Sequence, residues 1–176
     1  LHRRLGEYDD AIACHRQAIE ISREIGDRAS EGIGLGSLGE VLDRLGRHDE
    51  AVDHLKQAIS LIREVGDRSS EGDTLSSLGA VFRSLGRFAE ALEHLDRALA
   101  IAREIGDPWL ETKTLNALGE TAYAMGDPRT ALDRHRAALA LARQTEDRFQ
   151  HANALDGAGT ALQALGHAGA ARRHHE

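Results

Sequence analysis

Leu35, Leu38, Leu42 and Leu45 recur at intervals of three and four, with Ser37, Glu40 and Asp43 among them. That spacing lays the leucines along one side of an α-helix and turns the polar residues elsewhere. Gly46 closes the pattern, because glycine enters the left-handed conformation at a helix end without a Cβ clash. A second apolar series, Ala51, Leu55, Ala58, Ile59 and Ile62, predicts another helix from about His48 to Val65, closed by Gly66. Asp67 follows as an N-cap, its carboxylate placed to accept orphan N–H groups of the next helix. "GDP" at Gly106–Pro108 and again at Gly126–Pro128 repeats this punctuation. It places glycine past one helix end, aspartate as the cap, and proline at the first helical position, where its missing N–H costs nothing. The chain reads as consecutive helix pairs.

The pairs repeat. Slid by forty residues, the sequence matches itself: "LGEYDDAIACHRQAIEISREIGDR" from Leu5, "LGRHDEAVDHLKQAISLIREVGDR" from Leu45, "LGRFAEALEHLDRALAIAREIGDP" from Leu85 and "MGDPRTALDRHRAALALARQTEDR" from Met125. A fifth copy opens with "LGHAGAARRHHE" at Leu165. The period predicts the second helix of a preceding repeat over 7–26, then repeats over 27–66, 67–106 and 107–146. A partial repeat covers 147–176, in which Gly166 ends one helix and a second begins. Gly39, Gly79, Gly119 and Gly159 fall on the first helices, and Ala51, Ala91, Ala131 and Ala171 early on the second. Small residues facing one another let two helices approach closely as an antiparallel hairpin. A single hairpin cannot bury both of its apolar faces, so neighbours must stack. Leu1 stands where an initiator methionine would, which reads as a fragment of a larger protein. Natural arrays protect their ends with polar caps, so self-association through the exposed ends is expected.

The motif L-x-x-L-G at Leu35–Gly39, Leu75–Gly79 and Leu115–Gly119, followed by Leu-Gly and an alanine-containing second helix, resembles the tetratricopeptide repeat. The forty-residue period is longer than the family's usual length of about 34. It is similar to the long variety with "REIGD" helix ends in Pins-type scaffolds, and to repeats in bacterial regulators that also carry a helix-turn-helix domain and an NTPase. The fourth copy departs from the pattern, with Ala158 in place of the motif leucine. The resemblance implies an all-α fold, a right-handed α-solenoid of antiparallel helix pairs, whose first helices line a concave groove for a protein or peptide. On those helices, the face opposite the hairpin partner carries Ile33, Gly36, Glu40 and Asp43, then Asp73, Ser76, Ala80 and Arg83. Lys113, Asn116, Glu120 and Tyr123 follow, then Asn153, Asp156, Thr160 and Gln163. Of these, the expected partner contacts are Ile33, Gly36, Glu40, Asp43, Asp73, Ser76, Arg83, Lys113, Asn116, Glu120, Tyr123, Asn153 and Asp156. Tyr123 is an amphipathic anchor type, and an arginine such as Arg83 can fork onto a carboxylate. The chaperone-tail clamp of some family members needs lysines and asparagines in the groove, and only Lys113 and Asn116 approach it. The implied function is an interaction scaffold or regulatory module. The alternative is the ligand-sensing domain of a bacterial NTPase-type transcriptional regulator.

Composition narrows the rest. Only 3% of the chain is aromatic, so the core must rest on Leu, Ile, Val and Ala. A net charge of −7 argues against a nucleic-acid footprint. No apolar run approaches the roughly 20 residues of a membrane span. Cys14 is the single cysteine, so no internal disulfide forms, in keeping with the expected cytoplasmic location. Arginine far outnumbers lysine, which points to a GC-rich bacterial source. Gly34-x-Gly36-x-x-Gly39 imitates a dinucleotide fingerprint, but that loop needs a preceding strand, and "REIGDRAS" at 23–30 is a helix end and a cap. Only Gly39 recurs; Gly34 and Gly36 become Thr74 and Ser76 one repeat on. His54, His94 and His174 share one repeat position and His15, His135 and His175 the next, which reads as packing or a solvated face rather than metal ligation. No nucleophile elbow or zinc spacing is present. Trp109, just after Pro108, reads as cover for a helix junction, with use at an interface as the alternative. The expectation is a non-enzyme with no cofactor and no metal.

Overall fold

The computed structural model describes residues 2–173, with side chains over 8–166. These form eight helices: α1 His2–Ile25, α2 Arg28–Arg44, α3 His48–Val65, α4 Arg68–Ser84, α5 Phe88–Ile105, α6 Pro108–Ala124, α7 Pro128–Gln144 and α8 Arg148–Arg173. No strand occurs among the described residues. Each turn is built from the residues the pattern named. Asp27, Asp67, Asp107 and Asp127 accept the backbone N–H three residues on, each at 3.0 Å. The turn glycines from Gly26 to Gly126 have φ between 67° and 81°. In the fourth copy Glu146 stands in that region, with φ of 56°. A side chain there costs roughly 1 kcal/mol.

Two ends differ from the sequence reading. The first helix starts at His2 rather than residue 7, running through Gly6. The last runs through Gly166 without turning, so the expected break there is corrected. The turns at Gly46 and Gly86 are each followed by an Arg–Glu pair on the first turn, Arg47–Glu50 and Arg87–Glu90, and Asp127 caps the turn after Gly126. "GHAGAARR" carries neither device, and alanine favours continued helix. His174 and His175 lie outside the described residues, as does the side chain of Ala171.

Within the hairpins α2–α3 and α4–α5 the small residues approach as expected, with a leucine beside them. A Cβ on Gly39 would lie 2.7 Å from Leu55 Cγ and 3.3 Å from the Ala51 carbonyl oxygen. On Gly79 it would lie 2.6 Å from Leu95 Cγ and 3.1 Å from the Ala91 carbonyl. Each glycine sits against the backbone of the facing alanine, and the leucine one turn on fills the space its missing side chain leaves. In α6–α7 the same slot under Gly119 holds the ring of His135. Gly159 faces nothing within 4 Å.

Successive first helices touch, α2 to α4, α4 to α6 and α6 to α8, whereas α1, α3, α5 and α7 do not touch one another. The stack is an all-α solenoid that curves with the even-numbered helices on its inner side. Its core is three successive clusters of buried Leu, Ile, Val and Ala along the array, with Phe82 the largest fully buried side chain.

A repeated ionic clamp closes the first three joints, and His151 stands in place of its glutamate at the fourth. Arg23, Arg63 and Arg103, near the ends of α1, α3 and α5, donate through Nε to Glu31, Glu71 and Glu111 on the next helix. Arg28 and Arg68 hold the second oxygen of Glu31 and Glu71, and both carboxylates are buried. Pro108 replaces that second arginine in the third copy, and Glu111 is half-buried there. Sequence reading had taken "REIGDR" as helix punctuation; the recurrence of Glu31, Glu71 and Glu111 eight residues after the arginines was the available signal.

Candidate functional site

The even-numbered helices present a channel along the inner side, made of three adjoining depressions. The first, about 260 Å³, is lined by Ile33, Gly36, Glu40, Asp73 and Trp109. The second, of equal volume, is lined by Glu40, Asp43, Lys113, Glu120, Phe149 and Asn153. The third, about 410 Å³, is lined by Arg83, Glu120, Tyr123, Asn153 and Asp156. Glu40 is shared by the first and second, and Glu120 and Asn153 by the second and third. Ser76 and Asn116 also reach the second wall. All of the residues expected from the repeat pattern therefore lie along one surface.

They are not equally free. Ser76 and Asn116 are buried, which corrects their reading as open contacts. Asn116 is held from both sides. Its Nδ2 donates to the Gln150 carbonyl at 3.2 Å and to Gln150 Oε1 at 3.0 Å, and its Oδ1 lies 3.2 Å from His135 Nδ1. With Oδ1 as the acceptor, the ring hydrogen sits on Nδ1. Arg83, expected to meet a partner carboxylate, already pairs with Glu120 at 2.8 Å. Lys113 lies 2.5 Å from Asp73 and 3.8 Å from Glu40, and 5.5 Å from the centre of the Trp109 ring. Ser77 donates to Glu40 at 2.6 Å. Asp43 pairs with His48 at 2.7 Å. Of the channel's cations, Lys113 and Arg83 are thus spent internally, while Arg44 in the second wall and the exposed Asp156 make no ion pair among the described residues.

Sequence reasoning missed Phe149, and left Trp109 between cover for a helix junction and use at an interface without assigning it to the channel. Both lie in it, 70% and 45% exposed. They hold the same repeat position, preceded by Ala29 and Ser69 in the earlier copies. An aromatic twice where small residues stood before was the signal that was legible.

His135 makes the fourth joint sensitive to pH. Burial pushes its imidazole below the ordinary value of 6.5, and the charge of Asp156 opposes this only partly. The folded state therefore resists protonation. Stability conferred by the neutral ring is present above pH 6.5 and is lost as pH falls from there toward the depressed folded value. His54 and His94, also lowered by burial, act in the same direction. Denaturant midpoints measured from about pH 7.5 down to about pH 5.5 are expected to fall less steeply in His135→Leu than in the parent chain. Equal slopes would mean that His135 carries none of the dependence.

The sequence profile of the tetratricopeptide repeat matches residues 1–64, 38–104 and 70–144. The chain belongs to the tetratricopeptide repeat family. No curated protein is significantly similar to this tetratricopeptide array. Among solved structures, BtubC (BKLC) from P. vanneervenii superposes with a TM-score of 0.78 at 22% identity, over 93% of this chain and 68% of that one. A putative kinesin light chain from Podosopora anserina gives 0.70 at 18%, over 98% and 85%. A Rap protein complexed with Competence and Sporulation Factor gives 0.59 at 19%, over 93% and 50%. At these identities the likeness is one of fold.

Proposed function

We infer that the channel along α2, α4, α6 and α8 holds an extended segment of another protein, so that the chain acts as an interaction or regulatory module. The observation that carries this is the distribution of exposed aromatics, one to each depression: Trp109, Phe149 and Tyr123. Large exposed aromatic rings in a row of hollows, two of them the amphipathic Trp and Tyr, are the anchor type that dominates binding energy. Glu40, Asp43, Asp73, Glu120 and Asp156 outnumber Arg44, Arg83 and Lys113 along the channel, which favours a segment with apolar side chains and interspersed basic ones. Individual exposed ion pairs add only about 0–1 kcal/mol, so the aromatics decide affinity and the charges decide orientation. The family's general role in protein binding, and a fold neighbour solved with Competence and Sporulation Factor, support the reading. The forty-residue period supports a place among long-repeat scaffolds and regulators.

The test is selection of peptides from a random display library on the parent chain, followed by affinity measurement on variants. Phe149→Ala combined with Tyr123→Ala is expected to weaken the selected peptides by about tenfold or more. Lys56→Ala with Arg97→Ala, on the opposite side of the array, is expected to leave them unchanged. Peptides that bind the aromatic double variant as well as the parent would place the site elsewhere.

A further inference from the structure

The odd-numbered helices leave notches on the outer side of the array. α3 and α5 both pack on α4 but do not touch each other. The notch between them is a cavity of about 290 Å³, rimmed by Lys56, Ser60, Arg63, His94 and Arg97. Its floor is apolar, formed by Ile59, Leu75 and Leu78. No aspartate or glutamate lines it.

Repeat symmetry supplies an internal comparison. At the same rim positions the α1–α3 notch has Arg16, Glu20, Arg23, His54 and Gln57, and the α5–α7 notch has Asp96, Ala100, Arg103, Arg134 and Ala137. Each contains a carboxylate. Only the α3–α5 notch joins three cations to a hydroxyl with no acid.

Those cations are available. Lys56 and Arg97 make no ion pair among the described residues, and Arg63 spends only its Nε on Glu71. Lys56 Nζ stands 5.9 Å from the centre of the Phe82 ring, on which His94 stacks at 5.3 Å. His94 Nδ1 is buried without a partner. Glu90, one turn before His94, is held by Nε and Nη2 of Arg87; its charge and that of Glu93 reach His94 from outside the notch, and that of Glu90 also reaches Lys56, but neither carboxylate lines the cavity.

We propose that the α3–α5 notch binds a phosphoryl group through Lys56, Arg97, the Nη groups of Arg63 and the Ser60 hydroxyl. The number of donors and the total charge select this chemistry. A carboxylate brings one charge and two oxygens, which a single arginine satisfies. A phosphate monoester brings nearly two charges and three strong acceptor oxygens, matching a rim of three cations and a hydroxyl. The apolar floor excludes water beneath the anion and strengthens each contact.

The probe is inorganic phosphate, titrated into the isotope-labelled full chain against sodium chloride of equal ionic strength, with amide chemical shifts as the readout. Saturating shifts confined to the residues around Lys56, Ser60, His94 and Arg97 are expected with phosphate and absent with chloride. Lys56→Ala with Arg97→Ala, both solvent-facing, is expected to preserve helicity and weaken the titration by about tenfold or more. Phosphoserine in place of phosphate separates the sources. Tighter binding upholds the site as a receptor for a phosphorylated protein side chain; equal binding upholds it as a site for free phosphate. Non-saturating shifts, shifts spread equally over the three outer notches, or an unchanged titration in the double variant would overturn the proposal.

Discussion

Replacing both Arg63 and Arg68 with alanine is expected to destabilise the array by about 3 kcal/mol, through the carboxylate they leave behind. Glu71 is 4% exposed, and its two oxygens are taken by Arg63 Nε and Arg68 Nη1. Without them a buried charge has no partner. The value lies at the lower end for a broken buried pair, because both arginines are nearly half exposed and shortening them admits water. Glu71→Leu is the control. It removes the buried charge and returns two solvated arginines to water, so its cost is expected to be clearly smaller than that of the double arginine variant. Denaturant unfolding at neutral pH distinguishes them, and an equal cost would show that the clamp's charge is not what matters.

The pH dependence has a definite sign. Burial pushes the Glu71 carboxyl up, but the hydrogen bonds and charges of Arg63 and Arg68 outweigh it and hold the group below its ordinary 4.5. In the parent chain this contribution is present above pH 4.5 and is lost as pH falls through the folded value. In the double arginine variant, burial acts unopposed and the carboxyl rises. Protonation then relieves the folded state as the solution is acidified. The stability gap between parent and variant must therefore narrow in acid. A gap that stayed constant down to about pH 3 would contradict the assignment.

The clamp also bears on the channel. Arg63–Glu71 and Arg103–Glu111 join the second helix of one pair to the first helix of the next. They therefore fix the spacing of α4 and α6, on which Lys113, Tyr123 and Trp109 stand relative to Asp73 and Arg83. Loosening one joint displaces the anchors on its two sides against each other.

The helix boundaries were legible because their determinants are local. Aspartate caps, turn glycines and the two prolines act within a few residues, and forty-residue repetition displayed each of them several times. The surface shared by Ile33, Asp73, Lys113 and Asp156 was legible for the same reason. Spacing along a helix fixes a face, and repetition aligns the faces. What spacing could not supply was the pairing state of each side chain. Asn116 and Ser76 lie at the same repeat position as Gly36 and Asp156, yet the first two are buried, Gly36 is half-buried and Asp156 is exposed. Lys113 looked available to a partner but reaches Asp73, forty residues away, a contact no window along the chain contains. The run through Gly166 was misread because one glycine was taken as sufficient to stop a helix, when the other turns also carry an acidic cap or an Arg–Glu pair.

Gly79→Ala and Gly159→Ala are the same change at the same repeat position, and they are expected to have opposite signs. Alanine is favoured over glycine in a helix interior by about 1 kcal/mol, and both positions begin with that gain. At Gly79 the new methyl would stand 2.6 Å from Leu95 Cγ and 3.1 Å from the Ala91 carbonyl. Leu95 is fully buried, and the clash falls on its branch point rather than on the end of a flexible chain. The helices α4 and α5 must separate, which costs roughly 1–3 kcal/mol for a forced fit in a packed core. Gly159 meets nothing within 4 Å, so the propensity gain is kept whole. Unfolding midpoints should therefore move down for Gly79→Ala and up for Gly159→Ala, with the parent chain between them. A rise in both would show that α4 and α5 part without resistance, and that the recurring glycine is there for helix flexibility rather than for close approach.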